Sequence, residues 1–266
     1  MLVKPLKKAL PFVLMASLIL PTPVFAGAAQ MGGNMEMELR AGLGDRPVIF
    51  SGDGVLSLDI TYSQDPVALY IKTKIDTSMT GDETSHLRLD TAYMDYFSEN
   101  FDLRFGKQRI SWGTAVGFNP TDVINPVDIA HPMEDKLPNW ALLGQYYPSP
   151  SWELSGVYLP FFKAGVDTMA IPGQPPIQIM PPDKGGGQGE WAVKLGAMGM
   201  AGVDASLMYF SGWERTPSIR MAPKGPEGYY REVSILGGDF ATTIGDAGLW
   251  AEAAYNLPQD GDPYVN

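Results

Sequence analysis

Four carboxylates, Asp122, Asp128, Glu134 and Asp135, sit in the stretch between Gly113 and Pro138. Oxygen donors of this type can hold Ca²⁺, but Asp in such a stretch also caps turns and solvates a loop, and that plainer reading is the one carried forward. Ser111, His131 and Asp128 supply the residue types of a nucleophile, a base and an orienting acid, yet nothing in their spacing supports a triad. His86 and His131 are the only histidines, cysteine is absent, and neither histidine has a spaced His or Cys partner for a metal. The glycine-rich run from Gly185 to Glu190 lacks the Lys-Ser/Thr of a phosphate loop and reads as an external loop. No enzyme, metal or cofactor is expected from these residues.

The same stretch says nearly the same thing twice: Asn119-Pro120-Thr121-Asp122, then Asn125-Pro126-Val127-Asp128. Asn and Asp start turns with their own side chains, and Pro presets φ for the residue that follows. Each Asn-Pro can cap a short helical turn with Pro at its first position. Two such units predict a compact loop. It follows a strand that mixes Leu103, Phe105 and Ile110 with Asp102, Arg104 and Gln108.

Such a strand makes sense only if its two faces meet different solvents, so the compartment matters. Lys4, Lys7 and Lys8 precede an apolar run from Ala9 to Leu20, then Pro21-Thr22-Pro23 and Val24-Phe25-Ala26. Charge, apolar core and small residues before a cut form a secretory leader over 1–26. The run is too short to span a bilayer as a helix, which takes about 20 apolar residues. Cleavage after Ala26 takes the net charge from −11 to about −14. That acidity argues against nucleic acid as a partner, and without cysteine the exported chain has no disulfides.

Residues 27–266 alternate. Leu56, Leu58, Ile60 and Tyr62 fall opposite Ser57, Asp59 and Thr61. Val67, Leu69, Ile71 and Ile75 fall opposite Tyr70, Lys72, Lys74 and Asp76. Leu87, Leu89 and Tyr93 oppose Arg88 and Asp90, and Trp191, Val193 and Leu195 oppose Lys194. Period two predicts eleven strands: 34–43, 54–63, 66–78, 86–97, 101–111, 139–147, 151–159, 189–198, 203–212, 230–240 and 246–256. Short turns and long connections alternate between them, the long ones at 112–138, 160–188 and 213–229. This sorts all turns to one end and all loops to the other. It is the layout of an all-β, antiparallel transmembrane β-barrel. Aromatics near strand ends, among them Tyr62, Tyr96, Trp140, Tyr146, Trp152, Tyr158, Trp191, Trp213, Trp250 and Tyr255, fit interfacial girdles. Apolar faces then meet outer-membrane lipid and polar faces meet a lumen.

The residues Gly106-Lys107-Gln108, Ser111-Trp112-Gly113, Asn119-Pro120, Asp122, Asn125-Pro126 and Asp128 resemble a pattern of porin-like outer-membrane proteins of Gram-negative bacteria, near the alginate-export and related large-barrel families. The resemblance covers only this stretch. It implies an envelope channel passing small solutes and recognised by the barrel-assembly machinery; it fixes no substrate. Such barrels are usually larger and have an even strand number, and they end in an aromatic strand, so an odd count ending in Asn266 leads us to expect the N-terminal part of a longer barrel. The pore and loop candidates are Lys72, Lys74, Arg88, Asp90, Arg104, Gln108, Trp112, Asp122 and Asp128. Opposed charges on the lumen face either orient solutes in an open pore or join into cross-strand salt bridges that fill it. If Asp122 and Asp128 face the permeant, cations are favoured. The alternative class is a structural or adhesion barrel that displays its loops.

Overall fold

The computed structural model describes residues 12–20, 29–41, 50–78, 84–115, 118–129, 135–166, 168–169, 175–182, 189–223 and 225–258. They form strands β1 (Phe12–Leu20), β2 (Ala29–Ala41), β3 (Phe50–Gln64), β4 (Val67–Ser78), β5 (Thr84–Phe97), β6 (Phe101–Gln108), β7 (Asn139–Ser149) and β8 (Trp152–Leu159). There follow β9 (Thr168–Met169), β10 (Ile177–Met180), β11 (Glu190–Met200), β12 (Val203–Trp213), β13 (Ser218–Ala222), β14 (Gly225–Tyr229), β15 (Glu232–Ile244) and β16 (Ala247–Pro258). There is no helix among the described residues. The protein is all-β, and its chain divides into two compact units, Met1–Ala92 and Tyr93–Asn266.

In the first unit β1 to β4 pair in sequence order, antiparallel. The β3–β4 register explains the alternation. Leu56 faces Ile75, Ile60 faces Ile71 and Tyr62 faces Leu69, while Ser57 faces Lys74 and Asp59 faces Lys72. These pairs are like with like, so one face is mainly apolar and the other mainly polar, though Leu58 faces Thr73 and Val55 faces Asp76. β1 lies inside the segment expected to be a leader, and it pairs with β2 from Phe12↔Ala41 to Leu20↔Gly33.

In the second unit the order runs from β6 through β7, β8, β11, β12 and β15 to β16. The connections β7–β8, β11–β12 and β15–β16 are tight turns, with Gly202 at φ 80° and Gly245 at φ 62° supplying the left-handed backbone that a side chain resists. One face carries Leu142↔Tyr158, Leu154↔Leu195, Trp191↔Tyr158 and Leu195↔Leu207 as cross-strand pairs. The other carries Val157↔Ala192, Ala192↔Phe210 and Phe210↔Ile235. The first of these faces is exposed, with Trp140, Leu142, Trp191 and Leu207 among its large side chains. The second is the buried core.

All eleven expected strands exist, but three expectations need correction. The long connections at 160–188 and 213–229 are partly structured: β9, β10, β13 and β14 form a small sheet in the order β13-β14-β10-β9, with β10 and β14 parallel. Trp213 is not a girdle residue. It is 6 % exposed, because Phe162, Ile179 and Tyr230 cover it, with the Phe162 ring 5.7 Å away edge-on. Tyr93 does not share a face with Leu87 and Leu89. Asp90 and Thr91 are both buried in succession, so the alternation slips by one there, and Tyr93 lies under Arg104, 4.1 Å from ring centroid to guanidinium carbon. Among the described residues the sheet is not closed, and β16 pairs only with β15.

Phe210 is fully buried at the centre of the core face, and Leu207 three residues earlier is 66 % exposed on the other face. Phe210→Ala should lower unfolding stability by about 3–5 kcal/mol, and Leu207→Ala by less than about 1 kcal/mol. Denaturation in detergent micelles measures both; equal losses would show that the faces are misassigned.

Candidate functional site

At Gln108 the chain leaves the sheet, three residues earlier than the expected end at 111. The reason is local. The Ile110 amide donates to Asn125 Oδ1 at 2.7 Å, not to a neighbouring strand. The following loop, described at 109–115, 118–129 and 135–138, turns back onto the core face of the second unit. Its Ile110, Trp112 and Ile124 pack against Leu143, Val157, Leu159, Phe210 and Ile235. The core is therefore made between loop and sheet.

Polar clips hold the loop there. Glu252 of β16 accepts from the Thr121 amide at 2.7 Å, the Thr121 hydroxyl at 2.8 Å, the Ala115 amide at 3.0 Å and the Thr114 amide at 3.1 Å. Hydrogen bonds to an ionised acceptor are the strong ones. Arg215 donates from Nε to the Val123 carbonyl at 2.6 Å and from Nη1 to Glu190, with Glu190 fully buried and also accepting from the Trp213 amide. Lys163 donates to the Pro138 carbonyl at 2.9 Å and Arg109 to the Lys136 carbonyl at 2.6 Å.

The two Asn-Pro units do different work. Asn119 caps its own turn: Oδ1 accepts from the Asp122 amide at 3.0 Å, and Nδ2 donates to the Trp112 carbonyl at 2.9 Å. Asn125, 2 % exposed, staples the two legs of the loop, accepting from Ile110 and donating to the Leu137 carbonyl at 2.9 Å. The expected second capped helical turn is absent from the described residues because that side chain is already committed. Gly113 sits at φ 93°, and a Cβ there would lie 2.4 Å from Asn119 Oδ1 and 2.6 Å from Glu252 Oε2. Only glycine admits the clip at that point.

Beside the loop a cleft of about 390 Å³ is lined by Pro120, Asp122, Val123, Val127, Lys136, residues 213–218, Arg231, Ile235 and Asn256. Lys136 lies 2.9 Å from Asp122 Oδ2, and Arg231 pairs with Glu214 at 2.5 Å.

The expected site residues fall in both units. In the first unit Lys72 pairs with Asp59 at 3.8 Å, Arg88 with Asp76 at 2.6 Å, and Lys74 stands opposite Ser57. Asp90 is buried and accepts from Thr91. In the second unit Arg104 forks onto Asp95 at 2.6 and 3.1 Å. The charge rows are thus salt-bridged across strands. Gln108 is buried and donates to the Ala141 carbonyl at 3.0 Å. Trp112 is buried with Lys194 Nζ 5.5 Å from its ring centroid, and Lys194 is itself 3.7 Å from Glu153. Asp122 lines the cleft with its charge matched by Lys136; Asp128 is half-buried. His131 and Glu134 lie outside the described residues. No group of three His, Cys, Asp or Glu is gathered among the described residues.

Glu252, Glu190, Arg215, Asp95 and Glu153 were missed. A signal existed for Glu252: it is the lone acid in the Ala-rich run of β16, at an inward position by the alternation that puts Tyr255 outward. Nothing near Arg215 in sequence indicates the loop that it holds.

Residues 62–261 match a family described as "Protein of unknown function (DUF1302)". No curated protein and no solved structure matches the chain.

The unequal roles of the repeated asparagines generate a test. Asn125→Ala should cost about 2–4 kcal/mol, since it strands buried backbone groups on two loop legs. Asn119→Ala should cost about 1 kcal/mol, the usual worth of a cap. Equal effects in denaturant melts would mean that the repeat is one device used twice.

Proposed function

We propose that this chain, which belongs to the DUF1302 family of proteins of unknown function, forms part of an outer-membrane β-barrel that passes small solutes through a lumen narrowed by the loop at 109–138. The observation that carries the reading is the orientation of the second unit's faces. Its large exposed side chains are apolar, among them Trp140, Leu154, Tyr158, Leu195 and Tyr255, whereas Arg104, Lys194 and Glu252 lie on the face that the loop covers. In water that surface is far beyond the apolar patch of an ordinary monomer; in lipid it is the stable side. The exposed ring of Tyr146 and the ring of Trp152 lie beside the β7–β8 turn, where an interfacial girdle would sit. Closure of the sheet, which lipid demands of spanning strands, belongs to this proposal. So does export by the leader at 1–26.

A loop held by clips against one wall is a constriction. The paired charges on the strands keep the wall polar without leaving a row of bare charge. The second reading, a scaffold that displays loops, is favoured by the small sheet of β9, β10, β13 and β14, an ordered structure within connections that a simple pore could leave short.

Two measurements decide. Spin labels at Val193 and Leu195 should be relaxed by oxygen, and one at Lys194 by a water-soluble reagent; the reverse pattern would remove the membrane face. An Arg at Leu195 should cost about 2–4 kcal/mol if that position lies near the bilayer midplane. In planar bilayers the protein should give discrete conductance steps, and Glu252→Ala, by freeing the loop, should make them larger and noisier. Folded protein that conducts at no voltage would leave the display scaffold as the better account.

A further inference from the structure

We propose that Phe118 is a contact residue of the constriction and that it recognises small alkylated ammonium ions. The route by which such ions arrive rests on the channel reading; their binding at the ring is decided separately. The loop spends Ile110, Trp112 and Ile124 on the wall, where all three are buried in the core. Phe118 is 83 % exposed, the one large hydrophobic side chain left open among the described residues of the loop.

The ring stands on a pinned lobe. The Ala115 amide donates to Glu252 Oε2 at 3.0 Å and the Thr121 amide to Oε1 at 2.7 Å. Residues three before and three after Phe118 therefore end on one carboxylate. The next residue, Asn119, is fixed through Nδ2 to the Trp112 carbonyl at 2.9 Å. The loop covers the inner face, so a side chain that is exposed there and absent from the core stands off the wall, in the lumen of the proposed barrel.

The face of an aromatic ring is negative and attracts cations. A second observation points the same way. Asp239 of β15 stands directly across from Glu252 of β16. Like charges placed opposite each other are destabilising. Asp239 accepts from the Ser206 hydroxyl and Glu252 from the loop, and neither has an ion pair among the described residues. A cation in the lumen relieves that repulsion. Three residues of chain reach at most about 11 Å, and screening at 0.1 M extends over about 10 Å. The field at Thr121 and Glu252 thus reaches Phe118 without contact. An alkylated ammonium offers apolar surface to the ring and charge to the field. A neutral molecule of the same shape offers only the first.

Choline and its uncharged isostere, with carbon in place of nitrogen, share shape and hydroxyl. Ligand-observed NMR titration of the full chain in nonionic detergent reads both. Choline should bind roughly tenfold more tightly than the isostere. Phe118→Leu keeps apolar bulk and loses the ring, and the ratio should fall about threefold. Asp239→Asn, which keeps an acceptor for Ser206, should lower the ratio about twofold at low salt and less at high salt. The ratio is read within each variant, so partial loss of folded protein does not alter it. Equal binding of the two molecules to the unaltered protein, no binding of choline, or an unchanged ratio in either variant would overturn the proposal. Absence of conductance would instead overturn the channel reading and leave this ratio standing.

Discussion

One carboxylate organises the second unit. Glu252 gathers three loop amides and a hydroxyl onto its two oxygens. Those amides belong to an irregular segment that has no sheet partner to satisfy them. Buried backbone donors must be paired somewhere, and here one side chain on a distant strand does it. Once Thr121 is fixed, its neighbours follow. Gly237 of β15 allows the approach, since a Cβ there would lie 2.8 Å from Thr121 Cγ2. Ile124 drops into the core, and Val123 presents its carbonyl to Arg215.

This arrangement inverts the usual relation between core and surface. A sheet normally buries its apolar face and wets the polar one. Here the buried face of the strands sets small and medium side chains, Ala141, Ala192, Val157 and Val233, around Phe210, with charges placed among them, and Trp140, Tyr158, Trp191 and Tyr255 look outward. Desolvated ions are costly singly, and breaking one partner of a buried pair costs more than the pair contributes. The pairing of Arg215 with Glu190 and Arg104 with Asp95 is therefore what lets the inner face carry charge at all.

Most of the strand layout was legible because period two is written residue by residue: Leu56 to Tyr62 and Trp191 to Leu195 keep their faces. What failed was non-local. Trp213 has the position of a girdle aromatic, and only the fold of segments around Phe162 and Tyr230 buries it. The slip at Asp90-Thr91 is one residue long and changes no composition. The Asn-Pro repeat was legible as a compact loop, yet its two copies look alike in sequence while Asn125 reaches Leu137 and Asn119 reaches Trp112. Identical motifs diverge when only one of them is buried. The ion-pair partners Asp95 of Arg104 and Glu153 of Lys194 were not foreseen, because pairing depends on strand register rather than on spacing along the chain.

The clip has a consequence in time. Glu252 lies 131 residues beyond Thr121, so the loop is synthesised long before its anchor exists. Contacts of that sequence separation form late and slowly. Until β16 is laid against β15, the amides of Thr114, Ala115 and Thr121 lack Glu252, and the loop is kept compact by its internal contacts, the Asn125 staple with the Asn119 cap and the Lys136–Asp122 pair. Asn125 holds the shape and Glu252 the position. The first can act as soon as Leu137 has emerged; the second acts as a latch that closes only when the eleventh of the expected strands has been added.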